Sequence, residues 1–191
     1  MSEPTIPSTL QPEALHDYLA VITRAVFQAG VSWRQIAEHW EAYVDAFAGF
    51  DPQRVAAFDA ASAAAVLATP GILRSPRKIA ATIHNARALL EIAREFGTFH
   101  GYLSACGDYE TVVRDMRKRF SHLGPMNVWY VLFRVREPVP RFDEWIVTIE
   151  GEHPRMREMV DAARAAGTSP EIVDIGPRVE RVEATDSATR A

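Results

Sequence analysis

Apolar residues recur three and four positions apart along most of this chain, and the runs are cut by cap-and-proline signals. That spacing constrains the fold most, because it puts side chains on one helical face, whereas a half-buried strand needs a spacing of two. Leu15, Leu19, Ile22 and Val26 share one face of a helix over residues 10–27. Ser32, with Gln35 three positions on, has the form of a capping box. It predicts a helix whose stripe is Trp33, Ile36, Trp40, Tyr43, Val44 and Phe47, closed by Gly49-Phe50. Asp51-Pro52 and Ser75-Pro76 each join a side-chain cap to proline at the first helical position, where the missing N–H is not needed. The first pair opens a short helix with Val55 and Phe58 facing inward. The second opens a long helix burying Ile79, Ile83, Ala86 and Leu90. Residues 59–68 form an alanine-rich helix, and Thr69-Pro70-Gly71 breaks the chain. Three glycines predict a looser stretch over 96–107. Helices follow at 111–120 and 125–135, joined by the tight turn Ser121-His122-Leu123-Gly124. Glu137-Pro138-Val139-Pro140 is extended, 143–150 fits either helix or strand, and 154–166 is helical. The fold class is all-α.

The 191 residues are 48% hydrophobic and 24% charged, which suits one globular domain able to bury a full core. We expect a helical domain over 10–166, a flexible N-terminus over 1–9, and a mobile tail over 167–191, where prolines and charges leave little to bury. A single cysteine, Cys106, excludes a disulfide framework, a four-cysteine cluster and a cysteine-rich zinc site. The histidines at 16, 39, 84, 100, 122 and 153 show no ligand spacing, so neither a metal nor a cofactor is expected. No apolar run reaches about 18 residues, which excludes a membrane-spanning helix. The opening residues carry no secretory pattern, and a cytoplasmic monomer is expected. There is no G-x-S-x-G elbow and no P-loop.

The net charge of −4 speaks against a nucleic-acid partner only until it is divided along the chain. Residues 1–70 hold 3 basic and 8 acidic side chains, 71–141 hold 12 and 6, and 142–191 hold 6 and 11. The middle third is a basic block between acidic ones, which fits either an anion-binding face or ordinary solvated helix faces.

Within that block lies the most informative unit, the helix, turn and helix over 111–135. A turn ending in Gly124-Pro125 presents backbone N–H groups at the positive end of a helix dipole, the geometry that holds a phosphate. Arg117, Lys118 and Arg119 precede it by one turn. A plain antiparallel helix pair with solvated arginines gives the same pattern. Downstream, Asp143 lies between Phe142 and Trp145. A carboxylate so placed could stabilise a cationic transition state or position a water, or it could cap a helix beginning at Glu144.

The stretch from Leu123-Gly124-Pro125 to Asp143 resembles the helix–hairpin–helix DNA glycosylases, in which a Gly-Pro turn and a Val-Pro segment lead to a catalytic aspartate. More specifically, Phe27-Gln28-Ala29-Gly30-Val31-Ser32-Trp33 is similar to the DNA-3-methyladenine glycosylase I family. So are Phe47…Phe50-Asp51-Pro52…Val55, Pro70-Gly71-Ile72-Leu73-Arg74, Arg77-Lys78-Ile79 and Asn85-Ala86-Arg87-Ala88, in the same order. The resemblance covers roughly 15–146 and implies base excision repair of double-stranded DNA. A damaged base, of an alkylated, 3-methyladenine-like kind, is flipped and its N-glycosidic bond hydrolysed. It implies Asp143 as the catalytic carboxylate and a base pocket from Phe27, Gln28, Trp33, His84, Asn85 and Trp129. It further implies DNA contacts from Arg74, Lys78, Arg117, Lys118, Arg119, His122, Gly124, Pro125 and Met126. The chain also departs from the pattern. Ala25 stands where the family has a base-recognising glutamate, eight residues before Trp33. One cysteine cannot build the family's zinc site, and its N-terminal His-x-x-Glu-Trp-Gly pattern is missing. His122 occupies the hairpin's first glycine position, and Met126 replaces the lysine of the bifunctional lyases, which leaves a monofunctional hydrolase. A catalytically silent DNA- or lesion-binding module on the same fold is the alternative.

Overall fold

The computed structural model describes residues 9–149 and 154–167. Apart from Thr9 and Gly167, the two expected end segments lie outside these residues. Every regular element among the described residues is helical.

Helix α1 (Leu15–Gln28) buries Leu19, Ile22 and Val26 and lies against the long central helix α6 (Pro76–Phe96). The single helix expected after Ser32 is two: α2 (Trp33–Glu38) and α3 (Trp40–Ala46), separated at His39, where φ is −114° and ψ 14°. Ser32 occupies the cap position of α2, but its exposed hydroxyl makes no cap bond, so the expected capping box is not formed. The break divides the predicted stripe. Trp40 stacks on Tyr43 and Phe50, at ring distances of 5.6 and 5.2 Å, while Trp33 is left to face the opposite side. A 3-10 turn over Ala48–Phe50 then seats Phe50 against Phe47.

The cap-and-proline signals act as read. The Asp51 carboxylate accepts the Gln53 N–H at 2.8 Å to start α4 (Pro52–Ala56), and Ser75 caps α6. Between them runs α5 (Ala60–Ala68), capped by Asp59. The buried face of α6 takes in Ile79, Ile83, Ala86, Leu89 and Ile92. Leu90 is only partly buried, because the 3.6-residue repeat has drifted off a spacing of four by then. The stretch expected to be loose is helix α7 (Phe99–Cys106). Gly97 and Gly107 are its punctuation, ending α6 and α7 with φ of +77° and +85°, and the Thr98 hydroxyl caps α7 on Gly101 N–H at 2.9 Å.

Asp108 caps α8 (Tyr109–Arg119), which begins two residues earlier than predicted, and the turn leads into α9 (Pro125–Arg134). The ambiguous 143–150 segment, as far as residue 149, holds α10 (Phe142–Trp145) and a 3-10 turn over Ile146–Thr148. Helix α11 (Pro154–Ala165) follows and buries Met156, Met159 and Val160. Arg141, not Asp143, holds the cap position of α10.

Candidate functional site

A cavity of about 630 Å³ opens where the end of α1, the loop over 29–32, the start of α2, the first turns of α9 and the start of α11 converge. That volume suits a small planar molecule. Trp33 forms one wall and meets the Tyr130 ring edge to face at 5.5 Å. Met126, Asn127 and Met156 line the other sides. Gln28 is 4% exposed, and neither its amide nitrogen nor its amide oxygen has a hydrogen-bond partner among the described residues. Burying an unused carboxamide is unfavourable.

The loop that completes the pocket is tied down by Lys78. Its ammonium donates to the carbonyls of Phe27 at 3.0 Å and Ala29 at 2.7 Å, satisfying the last turn of α1. Burial pushes the Lys78 pKa down. Behind Tyr130 lie two arginines. Arg134, 4% exposed, donates from Nη1 to the Tyr130 hydroxyl at 2.7 Å, and Arg24 stacks over Trp40 at 4.1 Å. Their Nε atoms are buried without partners among the described residues. Burial lowers the Arg24 pKa and raises that of Tyr130, and the neighbouring Arg134 lowers Arg24 further. Arg155 stands at the rim. Among the described residues no carboxylate lines this cavity.

The hairpin turn borders the same cavity, since Met126 and Asn127 follow it directly. Asn85 of α6 fixes the turn with a reciprocal pair: its Oδ1 accepts the Ser121 N–H at 2.7 Å and its Nδ2 donates to the Ser121 carbonyl at 3.2 Å. His84 donates from Nε2 to the Arg119 carbonyl at 2.9 Å. Asn127 donates to the His122 carbonyl at 3.1 Å. His122 takes the left-handed conformation, φ +61°, that a glycine would adopt without strain. Gly124 has an ordinary φ of −76° and open space where a Cβ would point, so the fold itself does not require glycine there. On the far side of Pro125 a groove runs between α8 and α10, walled by Arg114, Arg117, Lys118, Arg141 and Trp145 and also by Asp108, Glu110 and Glu144, the last paired with Arg141 at 3.0 Å.

Several expected site residues lie elsewhere. Phe27 is fully buried against Tyr43 and Phe47, at 4.9 and 6.2 Å, so it is core and offers no face to a base. Trp129 is likewise enclosed by Phe133, Phe142 and Trp145, and its indole N–H donates to the Pro140 carbonyl. His84 and Asn85 brace the hairpin and do not line the pocket. Lys78 is engaged inward. Arg119 is held by Asp115 at 2.8 Å and Glu95 at 3.0 Å, with its guanidinium over Phe96 and Tyr102, so it is engaged within the fold. Asp143 is outside the cavity. Its carboxylate pairs with Arg157 at 3.0 Å and Arg164 at 3.8 Å, which ties α10 to α11. Of the expected residues, Gln28, Trp33 and Met126 line the cavity, Arg117, Lys118 and Pro125 line the groove, and Arg74, His122 and Gly124 are exposed. Sequence reasoning missed Tyr130, Asn127 and Met156, along with Arg24 and Arg134. Tyr130 and Asn127 sit three residues apart on the one turn of α9 that faces Trp33, a spacing visible beforehand. Nothing local marked Met156.

Among the described residues no group of three or more His, Cys, Asp or Glu side chains could hold a metal, and no helix is long and apolar enough to cross a membrane. The profile of the methyladenine glycosylase family matches residues 11–124. A DNA-3-methyladenine glycosylase of Haemophilus influenzae is 29% identical over 89 residues, 47% of this chain and 48% of that protein. The chain thus spans about half the length of the curated relative it matches. Among solved structures, 3-methyladenine DNA glycosylase I from Staphylococcus aureus superposes with a TM-score of 0.60 at 22% identity, over 67% of this chain and 79% of that one. A variant of the Staphylococcus aureus protein gives 0.56 at 25% identity, over 67% and 78%. A 3-methyladenine DNA glycosylase I in complex with 3-methyladenine gives 0.60 at 22%, over 67% and 80%. With the family profile running from ahead of α1 into the hairpin turn, over the fold those structures share, the chain belongs to the methyladenine glycosylase family.

Proposed function

We propose that this protein is a monofunctional DNA glycosylase of base excision repair, which receives a flipped, damaged base in the cavity beside Trp33 and hydrolyses its N-glycosidic bond. The observation that carries this reading is the shared border. The residues that follow the Gly124-Pro125 turn, Met126 and Asn127, are also walls of the Trp33 cavity. A duplex gripped through its phosphates at the turn therefore has a base-sized slot within reach of an extruded nucleotide. The partner is double-stranded DNA, with Arg117 and Lys118 in the adjoining groove supplying non-specific attraction. No lysine lines the cavity among its described residues, which agrees with hydrolysis in place of lyase chemistry. The names of the relatives put alkylated adenine first among bases to screen.

Duplexes carrying single alkylated, deaminated or oxidised bases, incubated with the protein and treated with alkali, are expected to show strand scission at the lesion for at least one class. Ala25 and the absence of a carboxylate from the described cavity wall favour a second reading, a module that binds lesions without hydrolysis. Lesion-selective binding with no free base by chromatography would establish that reading and overturn the first.

A further inference from the structure

We infer that Lys78 is the positioning residue of the base pocket: its ammonium fixes the loop over 29–32 so that Trp33 stands against Tyr130, and it takes no part in holding DNA. The inference rests on the glycosylase reading for what enters the cavity and adds the residue that gives the cavity its shape.

Three observations carry it. First, the loop is poorly held by its own bonds. Ala29, Gly30, Val31 and Ser32 all line the cavity, and Trp33 follows them directly. The Val31 N–H reaches the Gln28 carbonyl at 3.3 Å, and the Ser32 carbonyl accepts the Ile36 N–H at 3.4 Å. Both lie beyond the usual range of an N–H···O bond. The Ser32 hydroxyl makes no cap bond, Gly30 sits at φ +77°, and Ala29 and Gly30 are exposed. A segment with so few contacts opens easily on its own.

Second, the one short hydrogen bond to this loop among the described residues comes from Lys78, whose Nζ donates to the Ala29 carbonyl at 2.7 Å. The same ammonium donates to the Phe27 carbonyl at 3.0 Å, so it brackets Gln28 and sets the direction in which the chain leaves α1. A cation there also meets the negative end of the α1 dipole. Two of its three protons are spent in this way.

Third, the ammonium is carried by a firm support. Lys78 lies in the first turn of α6, whose start is set by the Ser75 cap and Pro76, and α6 packs along α1. Burial pushes the Lys78 pKa down, as for a side chain drawn in from solvent. The hairpin over 121–125 belongs to other elements, and its Asn85 bonds do not involve this loop.

The consequence is a separation of two properties. A pocket that is competent only while its loop is in place loses apparent affinity in proportion to the fraction of molecules in which the loop has moved. The grip on duplex phosphates at the hairpin has no such dependence.

The test uses the full chain with Lys78→Met, which keeps the bulk of the stem and loses the ammonium, and Lys78→Arg, which keeps a cation. Hydrogen exchange of the amides over 29–33 is followed in the free protein. Free 3-methyladenine is titrated by tryptophan fluorescence, and binding of an undamaged duplex is measured against salt. In Lys78→Met the expected result is exchange over 29–33 faster by about tenfold or more, with the rest of the chain unchanged. Base affinity falls by about the same factor, Lys78→Arg recovers part of it, and the salt slope stays as it was. Unchanged exchange over 29–33, acceleration spread over the whole chain, or a loosened loop with undiminished base affinity overturns the inference and leaves the glycosylase reading standing. A salt slope lowered by about 0.9 makes Lys78 a phosphate contact and overturns it likewise. If the full chain neither binds nor releases any base, the glycosylase reading falls, and local loosening in Lys78→Met still makes Lys78 the residue that shapes the cavity.

Discussion

At Gln28 a carboxamide sits in a closed wall with neither end used, and the adjacent Phe27 is sealed in the core. Because an orphaned buried polar group costs about 1–3 kcal/mol, Gln28→Leu should raise unfolding stability. A urea or thermal melt checks this, with about 2–4 °C in Tm for each kcal/mol in a chain of this length. An unchanged or lower Tm would mean that the amide is satisfied after all. His122 gives a second case of local unfavourable chemistry. Holding a non-glycine residue at φ +61° costs about 1 kcal/mol, so His122→Gly should stabilise the protein by roughly 0.5–1 kcal/mol after glycine's extra chain entropy is counted. The sequence made Phe27 and Gln28 equal candidates, because both belong to the same matched run. Which one faces inward depends on the helical angle at the last turn of α1, and only the packing of Tyr43 and Phe47 settles it.

Among the elements, caps and proline signals placed most helix starts to within a residue or two, since those groups act on their own local backbone. What they could not place were the break at His39 and the helix hidden among the glycines of 97–107, which answer to tertiary contacts and to Thr98. The same limit applies to Asp143. Its position in the sequence fitted a catalytic carboxylate, whereas the fold turns it towards Arg157 and Arg164 of α11, the helix whose first residues close the cavity. Half-exposed ion pairs contribute about 0–1 kcal/mol, so Asp143→Asn should alter base release by less than roughly tenfold. A single-turnover assay decides the matter, and a loss of a thousandfold would restore Asp143 to the chemistry.

For the molecule as a whole, a net −4 conceals a basic middle whose members have separate tasks. Lys78 ties a loop, Arg119 joins helices, and Arg134 is buried. Arg114, Arg117 and Lys118 are the members left facing outward along α8 beside the hairpin. Duplex affinity should therefore be modest and depend on salt through few phosphates. Replacing Arg117 and Lys118 together with alanine should flatten the slope of log K against log salt by about 1.8, near 0.9 for each phosphate that is no longer neutralised. An unchanged slope would make both charges ordinary solvated surface. The charge division legible in the sequence located the block but could not say which cations were spent inside the fold.

The neutrality of Gln28 has a consequence for acidity. A carboxamide has no proton to gain or lose in the physiological range. Of the other described groups around the cavity, Tyr130 is held protonated by burial. At saturating duplex the rate of base release should stay flat from about pH 6 to 9. A bell-shaped profile would point to an ionisable group beyond these walls. Among the described lining residues, none must gain or lose a proton near neutrality for a base to enter a pocket walled this way.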